Sequence, residues 1–258
     1  MNKTDNCYNL NTENYTQSKK EEPDNVNLPD FCYNTIFFCL YAQFKIQRAY
    51  KKYAGVRTQT GVTGFEAARK MLNAHNLYDV KIESVKGTLS DHYDPRTKVL
   101  RLSNDVYYGN SVASVGVACH EAGHAYQDAE AYGPLKLRSA MVPAVNIGGT
   151  IGPLVFMIGL MLAALSDMGL RVAGIGLIIF SLTAIFSIVT LPVEYNASNR
   201  AKAWLATSGL LYQDELDGVS SILNAAAMTY VSAAIQSLAN VLYYASILGS
   251  RSNRNRRR

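Results

Sequence analysis

At 258 residues and 28.3 kDa the chain can bury one fair-sized core. Hydrophobic residues make up 48% and charged residues 17%, below the roughly 25% charge of soluble domains, so the charges are unevenly spread, and one compact unit with membrane helices fits best. The net charge of +5 is concentrated in the tail from Arg251 to Arg258, which beside an apolar segment points to anionic lipid and not to nucleic acid. Cys7, Cys32, Cys39 and Cys119 form no CxxC pair and give neither a disulfide framework nor a thiolate zinc site.

Residues 1–30 are polar, rich in Asn, Lys and Glu, and are expected to form a disordered tail; they lack the apolar core of a signal peptide. Residues 31–44 are apolar and aromatic but fall short of the roughly 20 a spanning helix needs, which predicts a short membrane anchor, either a weak span or an interfacial segment. Lys45, Arg48, Lys51 and Lys52, interleaved with Tyr50 and Tyr53, suit a helix leaving the headgroups or an amphipathic surface helix. The soluble part of the domain, 45–139, follows. Thr63-Gly64-Phe65-Glu66 is a capping box, and Phe65, Ala68, Met71 and Leu72 recur at helical spacing to about Ala74. Between Val80 and Ser103 short β-prone runs surround the turn Asp94-Pro95-Arg96 and predict a small sheet. A helix over 111–127, capped by Asn110 or Ser111, then carries His120-Glu121-Ala122-Gly123-His124.

Residues 140–165 hold no formal charge, nor do 172–193, and the pair predicts a transmembrane hairpin over 140–193, kinked at Pro143 and Pro153. A second part of the catalytic domain is expected over 194–224. The apolar stretch 225–248 is predicted as a further transmembrane helix, whose stripe of Thr229, Ser232, Gln236 and Asn240 faces a protein interior. The basic tail 249–258 ends the chain.

Residues four apart share a helix face, so His120 and His124 aim both imidazoles at one point, an arrangement suited to tetrahedral zinc. By chance a chain of this length shows the H-E-x-x-H pattern on the order of once in a hundred or less. A lone buried histidine is usually structural; two, with a glutamate between them, favour a metal. Glu121 is the candidate general base, taking the proton of a zinc-activated water and passing it to the leaving amine. A catalytic zinc needs a third protein ligand. His75 and His92 are the other histidines, while the hairpin returns the chain to the same membrane face with Glu194 as the first carboxylate to arrive. Glu194 also reads as an ordinary charge at the end of a transmembrane helix. Cys119, about 100° round the helix from His120, reads as core.

The stretch Gly87-Thr88-Leu89-Ser90-Asp91-His92-Tyr93-Asp94-Pro95-Arg96, then Asp105-Val106-Tyr107-Tyr108-Gly109, then the HEAGH turn, then Leu191-Pro192-Val193-Glu194-Tyr195-Asn196-Ala197-Ser198, resemble the YugP-like family of neutral zinc metallopeptidases of bacterial membranes. The likeness covers about 42–248 and extends in style to HtpX-like and CAAX prenyl proteases. It implies a mainly α fold with a zincin-like metallopeptidase core, a small β-sheet and three to four transmembrane helices. It also implies one catalytic Zn²⁺ on His120, His124 and Glu194, with Glu121 as base. Family members carry an acidic residue two positions after the ligand glutamate, where this chain has Asn196, and a longer first membrane segment starting near residue one. Similarity to zincins further implies that the strand around 98–103 is the edge against which an extended substrate pairs. His92, Tyr195 and Arg200 are each candidates to donate to the oxyanion, and none is assigned a catalytic role.

The expected function is a zinc-dependent endopeptidase acting at or near the membrane surface. One alternative is a site-2-type intramembrane metalloprotease, disfavoured because the hairpin holds only Asp167, in its turn; another is a zinc-binding membrane scaffold without turnover. The expected partners are the lipid bilayer and membrane-protein or juxtamembrane peptide substrates, not nucleic acid, and the sequence specifies no oligomeric state. The expected location is the cell membrane, multi-pass. The resemblance favours a cytoplasmic site, while the basic residues divide between the two faces if the last helix spans and side with that orientation if it merely packs along the domain.

Overall fold

The computed structural model describes residues 28–88, 90–166 and 168–255. All but the last three residues of the expected N-terminal tail lie outside the described residues. Those three, 28–30, open helix α1, Leu28–Ala54. Pro29 sits in its first turn, where a missing backbone N–H removes no helical hydrogen bond, and no later Gly or Pro interrupts the run up to Ala54. The helix therefore passes unbroken through the expected boundary at 44/45.

The soluble core begins at α2, Gly64–Ala74, where Thr63 and Glu66 complete the capping box reciprocally. Its apolar face, Ala67, Ala68, Met71 and Leu72, is wholly buried. Strands β1 (Lys81–Val85), β2 (His92–Asp94) and β3 (Val99–Ser103) form one sheet in the order β1-β3-β2, with β1 parallel and β2 antiparallel to β3. This overturns the expectation that 98–103 is an edge strand. Residues 99–103 are buried at Val99, Leu100, Leu102 and Ser103, as in a strand covered on both sides, and both of its hydrogen-bonding edges are taken. Alternation in a sequence fixes the faces of a strand but not its neighbours. Of the two edge strands, β2 is the one that packs against α4.

After the short α3 (Asn104–Tyr107), α4 (Val112–Ala129) is capped by Ser111, whose hydroxyl accepts from the Ser114 N–H. Its small residues Ala113, Gly116, Ala118, Ala122 and Ala125 let neighbours approach on several faces. The main core joins α2, β3 and α4 with Ala201, Leu205, Val219 and Leu223 from later helices. Cys119 is fully buried there and burial pushes its thiol up, as suits a core residue.

Three long helices complete the chain: α5 (Gly133–Leu162), α6 (Met168–Ser208) and α7 (Gln213–Asn255). Each is long and apolar enough to cross a membrane. Pro143, Pro153 and Pro192 lie inside helices without ending them. The α5–α6 hairpin is sealed by glycines: at Gly159 and Gly176 the backbones of Ala173 and Phe156 leave no room for a methyl group, and at Gly152 an added Cβ would lie 2.8 Å from the Phe180 nitrogen. Such small-residue contacts let helices associate where lipid provides no hydrophobic drive. The expected divisions at 193/194 and 224/225 are changes of polarity within continuous helices, not breaks in the backbone.

Helix α1 runs antiparallel along α7. Thr35 Oγ1 donates to Gln236 Oε1 at 2.7 Å, Cys39 Sγ reaches the Ser232 carbonyl, and Lys45 Nζ lies 3.1 Å from Met228 Sδ. The expected polar stripe of α7 thus faces α1, and Gln236 also donates to Asn240. On its other side α1 exposes Tyr33, Phe37, Leu40, Tyr41 and Phe44.

Candidate metal centre

The site forms where α4 crosses α6. Ala122 and Ala197 have no solvent exposure, and an added Cβ at Gly123 would sit 2.7 Å from the Ala197 carbonyl oxygen. Because the two backbones come this close, side chains on the adjoining faces meet at their tips. His120 Nε2 lies 3.2 Å and His124 Nε2 3.6 Å from Glu194 Oε2. The three ligand atoms fall within 4.8 Å of one another, and the side chains are 12%, 8% and 3% exposed, so water screens them little.

Neighbouring groups fix which atoms face the centre. Gln127 Nε2 donates to the Val193 carbonyl at 2.8 Å and to Asn196 Oδ1 at 2.9 Å. Its Oε1 is therefore the acceptor that meets His124 Nδ1 at 3.0 Å. The imidazole must donate from Nδ1, which leaves the Nε2 lone pair directed at the carboxylate. Two acceptors facing each other at this range need a cation or a proton between them. Burial opposes charge on His124, but Glu194 together with Glu121 and Gln127 outweighs it and raises the pKa. His120 Nδ1 lies 3.1 Å from Ser198 Oγ, a hydroxyl that can accept from it and so hold the ring. On the far side of Glu194, Oε1 forms an ion pair with Arg138 Nη1 at 3.1 Å, so one carboxylate oxygen is turned to the histidines and the other to the guanidinium.

This donor set fits zinc. Two imidazole nitrogens and a carboxylate oxygen are common zinc ligands at about 2.0–2.2 Å, and ligand atoms at that radius around a tetrahedral ion stand roughly 3.3 Å apart. The separations of 3.2 and 3.6 Å bracket that value.

Asn196, where the resemblance leads to expect an acid, takes part through its amide oxygen. It accepts from Gln127 and, at 2.6 Å, from Arg200 Nε, and Arg200 Nη2 pairs with Glu130 at 2.7 Å. A chain of polar contacts thus runs from His124 through Gln127, Asn196 and Arg200 to Glu130.

Two cavities adjoin the centre. One, of about 260 Å³, lies between β2 and α5 and is lined by Asp91, His92, Tyr93, Arg138, Val142 and Glu194 among others. The second, of about 340 Å³, lies between α1, α4 and α7. Asp91, Glu121 and Tyr230 border both. Asp91 is held by the backbone N–H and hydroxyl of Ser103. Burial raises its pKa and the Glu121 charge adds to this, while the Ser103 bonds oppose it.

The structure brings together His120, His124 and Glu194 and sets Glu121 beside them on the cavity wall. His75 stacks on Tyr126 at 3.8 Å, outside the cluster. Of the three candidate oxyanion donors, His92 lines the smaller cavity, Tyr195 is 44% exposed, and Arg200 is committed to Asn196 and Glu130 over the Tyr126 ring. Sequence reasoning missed Gln127, Arg138, Ser198 and Tyr230. Gln127 is three residues after His124 and Ser198 four after Glu194, a helical spacing that could have flagged both. Arg138 is the last charge before the long uncharged run. Tyr230 carries no local signal.

Comparison with known proteins gives the family. The family model described as "Putative neutral zinc metallopeptidase" matches residues 31–249. The chain is 46% identical over 207 residues to the "Putative membrane protease YugP" of Bacillus subtilis (strain 168), covering 80% of this chain and 90% of that protein. No solved structure matches. With the match spanning both helices of the centre and all three apolar helices, the chain belongs to this zinc metallopeptidase family.

Proposed function

We propose that the protein is a zinc-dependent endopeptidase that hydrolyses peptide bonds at the bilayer surface, with one Zn²⁺ held by His120, His124 and Glu194 and with Glu121 as general base. The observation that carries this is the convergence of three buried acceptor atoms, each oriented from behind, next to a glutamate on a cavity wall. Zinc bound there supplies a Lewis acid that polarises the scissile carbonyl and lowers the pKa of water to about 7. Glu121, one residue from His120 and facing the cavity, removes a proton from the attacking water and delivers it to the leaving amine. Gln127 and Ser198 hold the imidazoles, and Arg138 holds Glu194.

The strand suited to pair an extended substrate is β2, not β3: among the described residues β2 pairs only with β3, and His92 and Tyr93 line the cavity beside Glu121. The uncharged stretch 172–193 of α6 ends at Glu194, which sets the chemistry where the helix leaves the apolar layer and favours membrane-protein or juxtamembrane substrates. The Glu194 position also speaks against a site-2-type centre, whose third ligand lies deep in a transmembrane helix. We take the site to face the cytoplasm, as the family resemblance implies.

The test is Glu121→Gln in the full-length protein in detergent. Peptide cleavage is expected to vanish while one zinc per chain remains, and Glu194→Ala is expected to lower the zinc content instead. Unchanged cleavage by the Glu121→Gln protein sinks the mechanism, and zinc binding without any cleavage by the wild type favours the scaffold alternative.

A further inference from the structure

The larger cavity beside the centre has a composition of its own. Beside the centre it is bordered by Glu121, His120, Asp91 and Tyr230, and its remaining wall is Ile46 with Gln43, Gln47 and Tyr50 of α1, Val117 of α4, and Ile222, Leu223 and Ala226 of α7. Ile222 and Leu223 are 2% and 3% exposed. Its volume of about 340 Å³ falls within the roughly 300–1,000 Å³ of small ligand pockets. The smaller cavity, by contrast, is walled by polar and charged groups of β2 and α5, including Arg138, His92 and Ser139. The centre therefore stands between a polar trough on one side and an apolar chamber on the other, joined through the three residues common to both.

We infer that the apolar chamber is the subsite for a large uncharged side chain, leucine, isoleucine, methionine or phenylalanine, at one fixed position beside the scissile bond. The inference rests on the peptidase function proposed above and names its substrate class. A backbone whose carbonyl lies over the metal centre passes Glu121 on both sides, so a side chain from one flanking residue enters the chamber while the chain continues along the β2 trough. A carboxylate in that position meets Asp91 and Glu121 and is repelled. An ammonium set among Ile46, Val117, Ile222 and Ala226 loses its hydration with no charged partner in that part of the wall, which disfavours it. Small residues enter but leave the apolar walls unfilled. Each methylene well placed in such a pocket is worth about 10–200-fold in discrimination.

Ala226 is the residue to change. It is partly buried on the chamber wall and its own side chain is the smallest there, so Ala226→Phe fills the space from one side. The experiment uses zinc-loaded, full-length protein in detergent and a mixture of unstructured ten-residue peptides varied at every position, with cleaved bonds identified by mass spectrometry. Wild type is expected to cut with Leu, Ile, Met or Phe at one position at least ten times faster than with Asp, Lys or Gly there. Ala226→Phe is expected to shift the preference at that position to Ala and Gly by at least ten-fold in relative kcat/KM, with zinc content unchanged. Ile46→Ala, which widens the chamber from α1, is expected to favour Phe and Trp over Leu, and it serves where the Ala226→Phe protein fails to fold. Cleavage that is indifferent to side chain at every position, or a preference that neither variant moves, overturns the subsite while leaving the peptidase standing. Absence of cleavage by zinc-loaded wild type overturns both.

Discussion

The amide of Gln127 decides which nitrogen of His124 is free. With Nε2 of Gln127 engaged by the Val193 carbonyl and Asn196, only Oε1 is left for His124 Nδ1, and the imidazole is thereby set in the tautomer that a metal requires. Replacing the amide by Gln127→Leu keeps the approximate volume but removes the acceptor. Groups that orient metal ligands typically change metal affinity by about 10–100-fold when lost, and a drop of that size is expected in a competition titration against a chromophoric zinc chelator. An affinity unchanged within two-fold sinks the orienting role. Arg138 acts on Glu194. Its pairing with the nearly buried Glu194 neutralises a carboxylate that otherwise faces the histidines and the Tyr230 hydroxyl, and removal of one partner of a buried pair costs on the order of 3 kcal/mol. Arg138→Ala is therefore expected to lower the melting temperature of the zinc-free protein markedly, and added zinc to restore part of it by mass action; equal losses with and without zinc count against the pairing. The histidines and Glu121 were legible in the sequence because one helical turn fixes their relation, and Glu194 because an uncharged hairpin must return to its starting face. Arg138 and Tyr230 were not, since what each faces depends on how α5 and α7 pack around α4.

Helix crossings rather than individual ligands set the spacing of the centre. Gly123, inside the HEAGH turn, permits α4 to lie against α6, and the atom an added methyl would meet is a backbone carbonyl that cannot swing aside. In an exposed helix interior Gly→Ala stabilises by roughly 0.5–1 kcal/mol. Here overpacking at about 1–3 kcal/mol outweighs that gain, and the shift it forces draws both histidines away from Glu194. Gly123→Ala is accordingly expected to be destabilised in thermal unfolding and to bind zinc more weakly. A gain in stability with zinc affinity intact contradicts the close crossing. At this scale the sequence read well wherever a local rule governs: the Thr63 capping box, the Ser111 cap and the polar stripe of α7 all stand as expected. It misled at β3, because strand order is settled by a crossover that brings β1 alongside, and no periodicity in 99–103 records that partner. Polarity changes at Val193 and Ala225 mark the expected divisions, and α6 and α7 continue through both, α6 even past Pro192.

The same long helices carry the layer of the proposed centre and the apolar layer, and their order fixes which ends of the molecule share a face. The hairpin tip, between Leu162 and Met168, lies at the opposite end of α6 from Glu194. Arg251, near the end of α7, donates to the Leu160 carbonyl at 3.0 Å, so α7 ends beside that tip. Helix α1 runs antiparallel to α7, pairing Thr35 with Gln236 and Lys45 with Met228, which places its start at the tip end and its Lys45–Lys52 segment at the catalytic end. The alternative in which the basic tail joins the catalytic side therefore does not hold in this arrangement. Of the described basic residues, Arg171 and Arg251 lie at the tip end, whereas Lys45, Arg48, Lys136, Arg138, Arg200 and Lys202 lie on the elements of the opposite end, and charge alone does not set the orientation. What the helix order does demand is opposition. In intact cells, the Ser252→Cys protein is expected to react with an impermeant maleimide under conditions where the Thr207→Cys protein, changed in the catalytic layer, does not, given a cytoplasmic site. The reverse pattern assigns the site to the outer face and preserves the opposition. Labelling of both from one side overturns α7 as a span, and with it the seating of the centre at the bilayer surface.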